Sequence, residues 1–472
     1  MGGLGAARPP WPSRAPGAPL TSRTRETPPG AVRRWHTWIG RLSGSAAARG
    51  ATTLVDQGIV SLTNFLAGVI VGRYCSRGEL GLYSLAFSLL LLIVSFQSAL
   101  VSMPYTVYCV RVPAEDRAAY SGSTLVHQLS LVVLSTVVLA VGGLLLAGRV
   151  GPPGLAQVVL VVACGLPLFM GREYLRQLFF ARLERLPPLL LDAVVAIVQV
   201  GSLLALARSG RLSAAAAYVT AGVACGCGVL VSAIAVRRWF AWSRARVLPD
   251  LKMNWATGRW TFANGLVALA GAQLYPWLIA ASRGAEETGI LAACMGVTYL
   301  TNPLILGLGN FLAPHAMHAH ASGGFVAVRR ILRKATFGLA GVMAVVCPTL
   351  FLAGGALLRL VYGARYDGYG LTVGALSLAQ AVDVLAMPAS YALFLFDRPD
   401  VIVKSNLIVL GVTVTAGAVL VRLLGPLGVA LGLLCGNGLS TAFRWHAYGR
   451  LARALETERP RVASATLSEV GS

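Results

Sequence analysis

From Leu54 onward, long apolar runs alternate with short polar breaks. Twelve runs stand out, at 54–72, 82–103, 124–147, 155–174, 189–207, 213–236, 260–281, 288–312, 336–354, 370–395, 401–421 and 427–447. Each holds 19 to 26 residues, enough for a helix to cross the hydrocarbon of a bilayer. Barrel strands would instead require alternating segments of about 10 residues, a pattern absent from this chain. The pattern predicts an all-α polytopic membrane protein with about twelve transmembrane helices.

Residues 1–50 follow another rule. Seven prolines fall in the first 30 positions, and eight arginines from Arg8 to Arg49 face one acid, Glu26. No apolar stretch of a signal peptide precedes Leu54. The segment reads as a disordered basic tail on the cytoplasmic face. A start codon assigned too far upstream is the alternative explanation.

Composition removes the soluble alternatives. Of 472 residues, 56% are hydrophobic and 12% charged, about half the charge of an ordinary soluble domain. The formal charge of +22 would raise nucleic acid in a soluble chain, but no basic, aromatic-interleaved module is present. The basic residues report topology instead. With the amino terminus inside and strict alternation, 31 of the 40 Lys and Arg fall on the cytoplasmic side. The other nine are Arg73, Arg77, Arg149, Arg208, Arg211, Arg283, Arg359, Arg365 and Arg422. Twelve spans with both termini cytoplasmic preserve that asymmetry.

An internal echo divides the chain. Ser76-Arg77-Gly78 with Glu79 and Gly81 opens span 2, and Ser282-Arg283-Gly284 with Glu286 and Gly289 opens span 8. Six spans per half is an even number, so the repeats run parallel, as two six-helix bundles around a central cavity. The expected division is a tail at 1–50, a first bundle at 51–236 and a cytoplasmic linker at 237–256. A second bundle at 257–450 and a cytoplasmic tail at 451–472 complete it.

Candidate chemistry lies in the polar residues inside spans, which are costly in lipid and face a cavity or a partner. Gln57, Ser61 and Asn64 share one face of span 1, with Asp56 beside it. They read as a cavity-lining stripe or as interhelical hydrogen bonds. Gln380 and Asp383 lie near the centre of span 10, and Asp383 is a candidate proton or sodium site, or an acid neutralised by an arginine. Asp56 is a second ion-coupling candidate. Arg172 and Arg176 share a face at the cytoplasmic end of span 4, where planar guanidinium forks suit phosphate oxygens. Ordinary snorkelling is the alternative. Arg259 opens span 7 in a similar role. Asn264, Gln273, Asn302 and Asn310 are neutral groups fit for a sugar or for helix contacts. His315, His318 and His320 read as a solvated loop after span 8, without a metal. The eight cysteines sit mostly in apolar runs and lack zinc-site spacing. No phosphate-binding loop of an ATP motor, no cofactor motif and no catalytic set is visible.

Several local motifs carry a resemblance: Asp56-Gln57 through Asn64-Phe65, Gly78-Glu79-Leu80-Gly81-Leu82-Tyr83, and Ser102-Met103-Pro104-Tyr105. Over roughly residues 50–450 the chain resembles the multidrug/oligosaccharidyl-lipid/polysaccharide flippase superfamily, and within it the oligosaccharide or O-antigen flippases. That resemblance implies a V of two bundles in a bacterial inner membrane. It implies transfer of a polyprenyl-pyrophosphate-linked oligosaccharide to the outer leaflet by ion-coupled alternating access, alongside polysaccharide polymerase machinery. Cationic cavity residues would hold the pyrophosphate, a role carried here to Arg172, Arg176 and Arg259. A drug or metabolite cation antiporter of the same fold is the nearest rival and would favour acids such as Asp56, Asp192 and Asp383. A major-facilitator carrier lacks its loop signature here, where the sequence reads Arg111-Val112-Pro113-Ala114-Glu115-Asp116-Arg117. A membrane polysaccharide polymerase or ligase would carry a large charged outer loop.

Overall fold

In a computed structural model the chain is helical, and the described residues are 46–148, 151–184 and 186–470. Most of the expected basic tail, and Arg149 and Arg185, lie outside them, as does the side chain of Asn310. The first half holds α1 (Ala46–Tyr74), α2 (Arg77–Gln97), the short α3 (Met103–Tyr108), α4 (Arg117–Ala147), α5 (Leu155–Ala181), α6 (Leu186–Arg208) and α7 (Ala214–Val236). The second holds α8 (Arg244–Arg283), α9 (Ala285–Thr298), α10 (Asn302–Tyr362), α11 (Gly370–Leu395), α12 (Pro399–Val412), α13 (Ala418–Leu424) and α14 (Pro426–Val470). Among the described residues, eleven helical segments are long and apolar enough to cross a membrane. The interrupted α9–α10 pass completes a multi-pass fold of twelve helices in two bundles.

Local chemistry sets the breaks. Ser76 accepts a hydrogen bond from the backbone N–H of Glu79 and so caps α2. A π-turn at Ser98–Ser102 precedes Pro104, which has no N–H and whose ring would clash with a carbonyl one turn back. Gly324 breaks α10 at φ 58° and ψ −150°, a backbone setting that glycine tolerates, and there the eighth and ninth passes meet. His315, His318 and His320 lie on this helix, not in the expected loop, because the helix runs on past the apolar run that marks span 8. The helix of α14 likewise continues through most of the expected carboxyl tail.

The apolar surface is divided between lipid and core. Val133, Val137, Val141 and Leu144 recur at helical spacing on α4 and are exposed, as a lipid-facing stripe must be. Two buried clusters centre on the first half, around Leu166 and Phe179, the former also taking in Ala280 of α8, and two lie inside the second, around Met343 and Leu332. The fifth straddles the halves and joins Val71, Tyr275, Ile279, Leu291, Tyr362 and Tyr366. It lies at one end only, the end carrying the turn between Tyr74 and Arg77.

At that end α2 crosses α9, and the internal echo explains how. A Cβ on Gly81 would stand 2.9 Å from the carbonyl carbon of Ala285, with the oxygen nearer still. A Cβ on Gly289 would stand 2.8 Å from the carbonyl carbon of Arg77. Gly81 lies on Ala285 and Gly289 lies on Arg77, each glycine four residues after the backbone that the other one meets, so the crossing is reciprocal. Arginines hold helix ends here: Arg73, Arg77 and Arg365 across the halves, and Arg283 within the second. Arg73 Nη1 donates to Leu360 O at 2.7 Å, and Arg283 Nη2 donates to Arg422 O at 2.8 Å. Both reach unsatisfied carbonyls at helix C-termini, where positive charge is favourable. Arg77 donates to the carbonyl of Arg365, whose own guanidinium donates to the carbonyl of Cys75.

Toward the other end the halves separate, and α8 bridges them. This helix starts inside the expected linker 237–256 and runs for 40 residues. Its first turns belong to the first half: Tyr120 Oη donates to Asn254 Oδ1 at 2.9 Å, Tyr108 Oη meets Thr257 Oγ1 at 2.7 Å, and Gly258 lies against the backbone of Ala99. Its later turns pack on α12 and α13, with Gly271 against Val409.

Candidate substrate cleft

Between the halves, under the sealed end, lies a cavity of about 450 Å³. Helices α1, α2, α8, α9 and α10 supply its walls. Ser61 and Asn64 come from the stripe on α1, Ser84 from α2, Gln273 from α8 and Asn302 from α10. Rings of Phe65, Tyr83, Phe87 and Tyr299 fill the spaces between them, and Tyr362 forms part of the roof. Among the described residues no charged side chain lines this cavity. Its polar groups are amides and hydroxyls, which can donate and accept, and its rings offer flat apolar faces.

The sequence candidates separate into distinct places. Asn64 and Gln273 meet at this cavity, and Gln57 lies exposed one to two turns away on the same face of α1. Arg259 is exposed about four turns into α8, because the helix starts at Arg244, well before the apolar run it was expected to open, and its guanidinium lies 5.5 Å from the ring centre of Trp260. Asn264 is half-buried and accepts from Asn406 Nδ2 at 3.4 Å.

Arg172, Arg176 and Asp56 are brought together, with an acid that only the rival reading invoked. Arg172 Nη2 lies 2.5 Å from Asp192 Oδ1, and Arg176 Nε lies 2.7 Å from Asp192 Oδ2. Arg176 Nη2 lies 2.8 Å from Asp56 Oδ2, and its Nη1 lies 3.6 Å from Glu173 Oε2. The Asp192 side chain is fully buried and that of Asp56 is 2% exposed. Two guanidinium groups therefore face three carboxylates, and their forks are turned to those acids. The network ties α1, α5 and α6 together inside the first half.

Asp383 lies elsewhere. It borders a second cavity, of about 470 Å³, within the second half. Ile305, Val384, Met387, Phe394 and Ile402 make most of its wall, with Arg444 opposite as the cation. Among the described residues Asp383 makes no ion pair within 4.0 Å. Gln380, one turn before it, donates to Asn302 Oδ1 at 2.7 Å and accepts from Thr301 Oγ1 at 3.2 Å, and so ties α11 to the break between α9 and α10.

Sequence reasoning passed over Arg444, because it was counted among the basic residues of the cytoplasmic side. The signal was present: a lone charge within span 12, between Phe443 and Trp445. Its position is fixed by a ladder. Asn437 Nδ2, Thr441 Oγ1 and Trp445 Nε1, each four residues apart, donate to the carbonyls of Ala379, Val382 and Leu385 at 3.1, 3.0 and 3.0 Å. The spacing puts all three donors on one face of α14 and locks it to α11.

No family model matches the sequence, and no curated protein matches it. Solved structures match its fold. An inward-facing multidrug resistance MATE family transporter of the MOP superfamily aligns with a TM-score of 0.73 and 14% identity, over 84% of this chain and 95% of that one. The outward-facing conformation of such a transporter aligns with a TM-score of 0.61 and 15% identity, over 89% and 96%. The lipid II flippase MurJ, in an inward closed conformation, aligns with a TM-score of 0.66 and 13% identity, over 85% and 87%. The chain thus has the fold of the MOP-superfamily transporters.

Proposed function

We propose that the chain is an alternating-access transporter that turns over a polyprenyl-pyrophosphate-linked oligosaccharide from the inner to the outer leaflet of a bacterial cytoplasmic membrane. The observation that carries this reading is the uncharged polar cavity between the bundles, sealed at one end by the α2–α9 crossing. A hydrated glycan cannot cross hydrocarbon unaided. Amides and hydroxyls can replace its water, and ring faces suit its apolar CH surfaces. The prenyl tail stays in lipid while the head passes. Flipping breaks no covalent bond, so no catalytic set is required.

The excess of basic residues away from the sealed end supports cytoplasmic termini. The structure is then closed to the outside, and its higher TM-score against an inward-facing transporter agrees. A proton or sodium gradient would drive the cycle, with Asp383 as the coupling carboxylate. Polysaccharide polymerase machinery is the expected partner on the outer side.

A specific observation favours a second reading. Asp383 borders an apolar cavity and, among the described residues, makes no ion pair within 4.0 Å, which leaves its charge to face an organic cation against the opposition of Arg444 on the same cavity. The inward-facing neighbour, at a TM-score of 0.73, is a multidrug transporter, so a cation antiporter is the competitor. Proteoliposomes distinguish the two. A fluorescent lipid-linked oligosaccharide should become accessible to an impermeant quencher in the opposite leaflet, and ethidium should not be moved. Ethidium movement with no lipid turnover would replace the first reading with the second.

A further inference from the structure

We propose that Arg444 is a binding site for a phosphate-type anion, separate from the uncharged cavity, and that it receives the anionic group of the cargo. The clause about cargo rests on the function proposed above; the site itself rests on how Arg444 is held.

Its guanidinium is positioned by neutral acceptors. Nε donates to Ser405 Oγ at 2.7 Å, Nη1 to Ser390 Oγ at 3.2 Å and Nη2 to Asn406 Oδ1 at 3.1 Å. Both hydroxyls are committed as acceptors, because their own protons go back to the helix. Ser405 Oγ donates to Ile402 O at 2.7 Å and Ser390 Oγ to Ala386 O at 2.9 Å. Asn406 is oriented in turn by Asn264, across the bundle on α8. A guanidinium has five N–H donors. Three are used, which leaves one on each terminal nitrogen, the number a two-point grip on phosphate oxygens needs.

The comparison with the first half sharpens the case. Arg172 and Arg176 are neutralised there by Asp56, Glu173 and Asp192. Among the described residues Arg444 has no carboxylate within 4.0 Å, although its cavity is walled largely by Ile305, Val384, Met387 and Ile402. Arg444 is half-buried, and Asp383 on the same cavity is its electrostatic counterpart. With no carboxylate at contact distance its remaining N–H groups still call for an acceptor, and the ladder on α14 prevents it from turning away. Asp383 shares the cavity and is the charge that opposes an incoming anion. It therefore weakens binding and favours release.

The test uses the full chain in phosphatidylcholine nanodiscs, with calorimetric titration of farnesyl pyrophosphate and of inorganic pyrophosphate. Farnesyl pyrophosphate should bind. R444Q should weaken it at least about ten-fold, the scale of losing a charged two-point contact. R444K should fall between, because an ammonium keeps the charge and loses the fork. D383N should tighten binding several-fold. Equal binding of inorganic pyrophosphate, lost in R444Q, supports the site and assigns the anion to solution. Wild-type affinity in R444Q, or no binding of either compound to the wild type, overturns it. Folding is checked by the thermal unfolding midpoint, and S390A, which removes one acceptor only, should weaken binding modestly if R444Q fails to fold. The two proposals fail separately. Arg444-dependent binding without lipid turnover sinks the function and keeps the site; normal lipid turnover by R444Q keeps the function and overturns the assignment of the site to the cargo.

Discussion

The α2–α9 crossing offers a direct handle on the conformational equilibrium. Consider G81A and G289A. At Gly81 a Cβ would meet Gly289 N at 3.0 Å and the carbonyl carbon of Ala285 at 2.9 Å, where ordinary contact begins near 3.4 Å. The carbonyl oxygen is closer than either, so the helices must part by at least about 0.5 Å to admit one methyl group. Overpacking of this kind costs about 1–3 kcal/mol. Helix propensity works in the opposite direction, because alanine is favoured over glycine by about 1 kcal/mol. A loss therefore reports the crossing and not the helix. The strain exists only while this end is closed, so the closed-to-open ratio should fall by about 5- to 150-fold per substitution.

The assay needs a chain with its eight cysteines replaced and Asn64→Cys introduced as a reporter in the cavity. An impermeant maleimide is added from the side bearing Tyr74–Arg77. Modification should be slow in the parent and markedly faster in G81A and G289A. Gly58 and Gly68 border the same cavity, and a Cβ on either meets nothing within 4 Å. G58A and G68A should therefore modify at the parental rate. If all four variants behave alike, the crossing is not the closure and the reasoning fails.

Three further outcomes follow from the side-chain geometry. D192N leaves Arg172 and Arg176 short of a fully buried counter-ion and should lower stability by about 3–5 kcal/mol, read as the unfolding midpoint in detergent; a change under about 1 kcal/mol would show that the network is not a brace. D383N should abolish the dependence of transport on a proton or sodium gradient, and a retained gradient dependence would remove Asp383 from the coupling role. N254A strands the hydroxyl of Tyr120 and Y120F strands Asn254 Oδ1, both in a buried site, so each should cost about 1–3 kcal/mol; an unchanged unfolding midpoint in both variants would refute that contact.

The legible and illegible parts of the chain differ in range. Span positions were readable because hydropathy and turn chemistry are local. The run at 370–395 coincides with α11, and the echo at Gly81 and Gly289 marks the crossing. Asp383 and Gln380 stood out because polar groups within apolar runs need no partner to be noticed. Partners were hidden. Asp56 and Arg176 are 120 positions apart, so nothing in the sequence announces that one answers the other. The same arginine reads as a phosphate clamp in isolation and as half of an ion pair in place. The extension of α8 through the expected linker was also obscured, since its polar first turns pack on another helix pair and lack a lipid-like pattern.

The two halves share a fold but divide their charges unequally, and this bears on which groups can drive transport. A group shifts an equilibrium between states only if its surroundings differ between them. Asp56, Arg172, Arg176, Glu173 and Asp192 contact one another within the first half. A rigid rotation of one bundle against the other leaves those contacts unchanged, so the network contributes equally to both states unless α1 itself moves. The groups whose surroundings must change are those at the seams: the glycines of the α2–α9 crossing, the arginines that hold helix ends across it, and the first turns of α8. Arg444 and Asp383 form a third class, because their environment changes when a ligand arrives even if their bundle stays rigid. Coupling of cargo to movement therefore requires a connection from that cavity to a seam. If Arg444 holds the cargo as proposed, the hydrogen bonds from Arg444 to Asn406 and from Asn406 to Asn264 on α8, the helix that contacts both halves, would supply that connection.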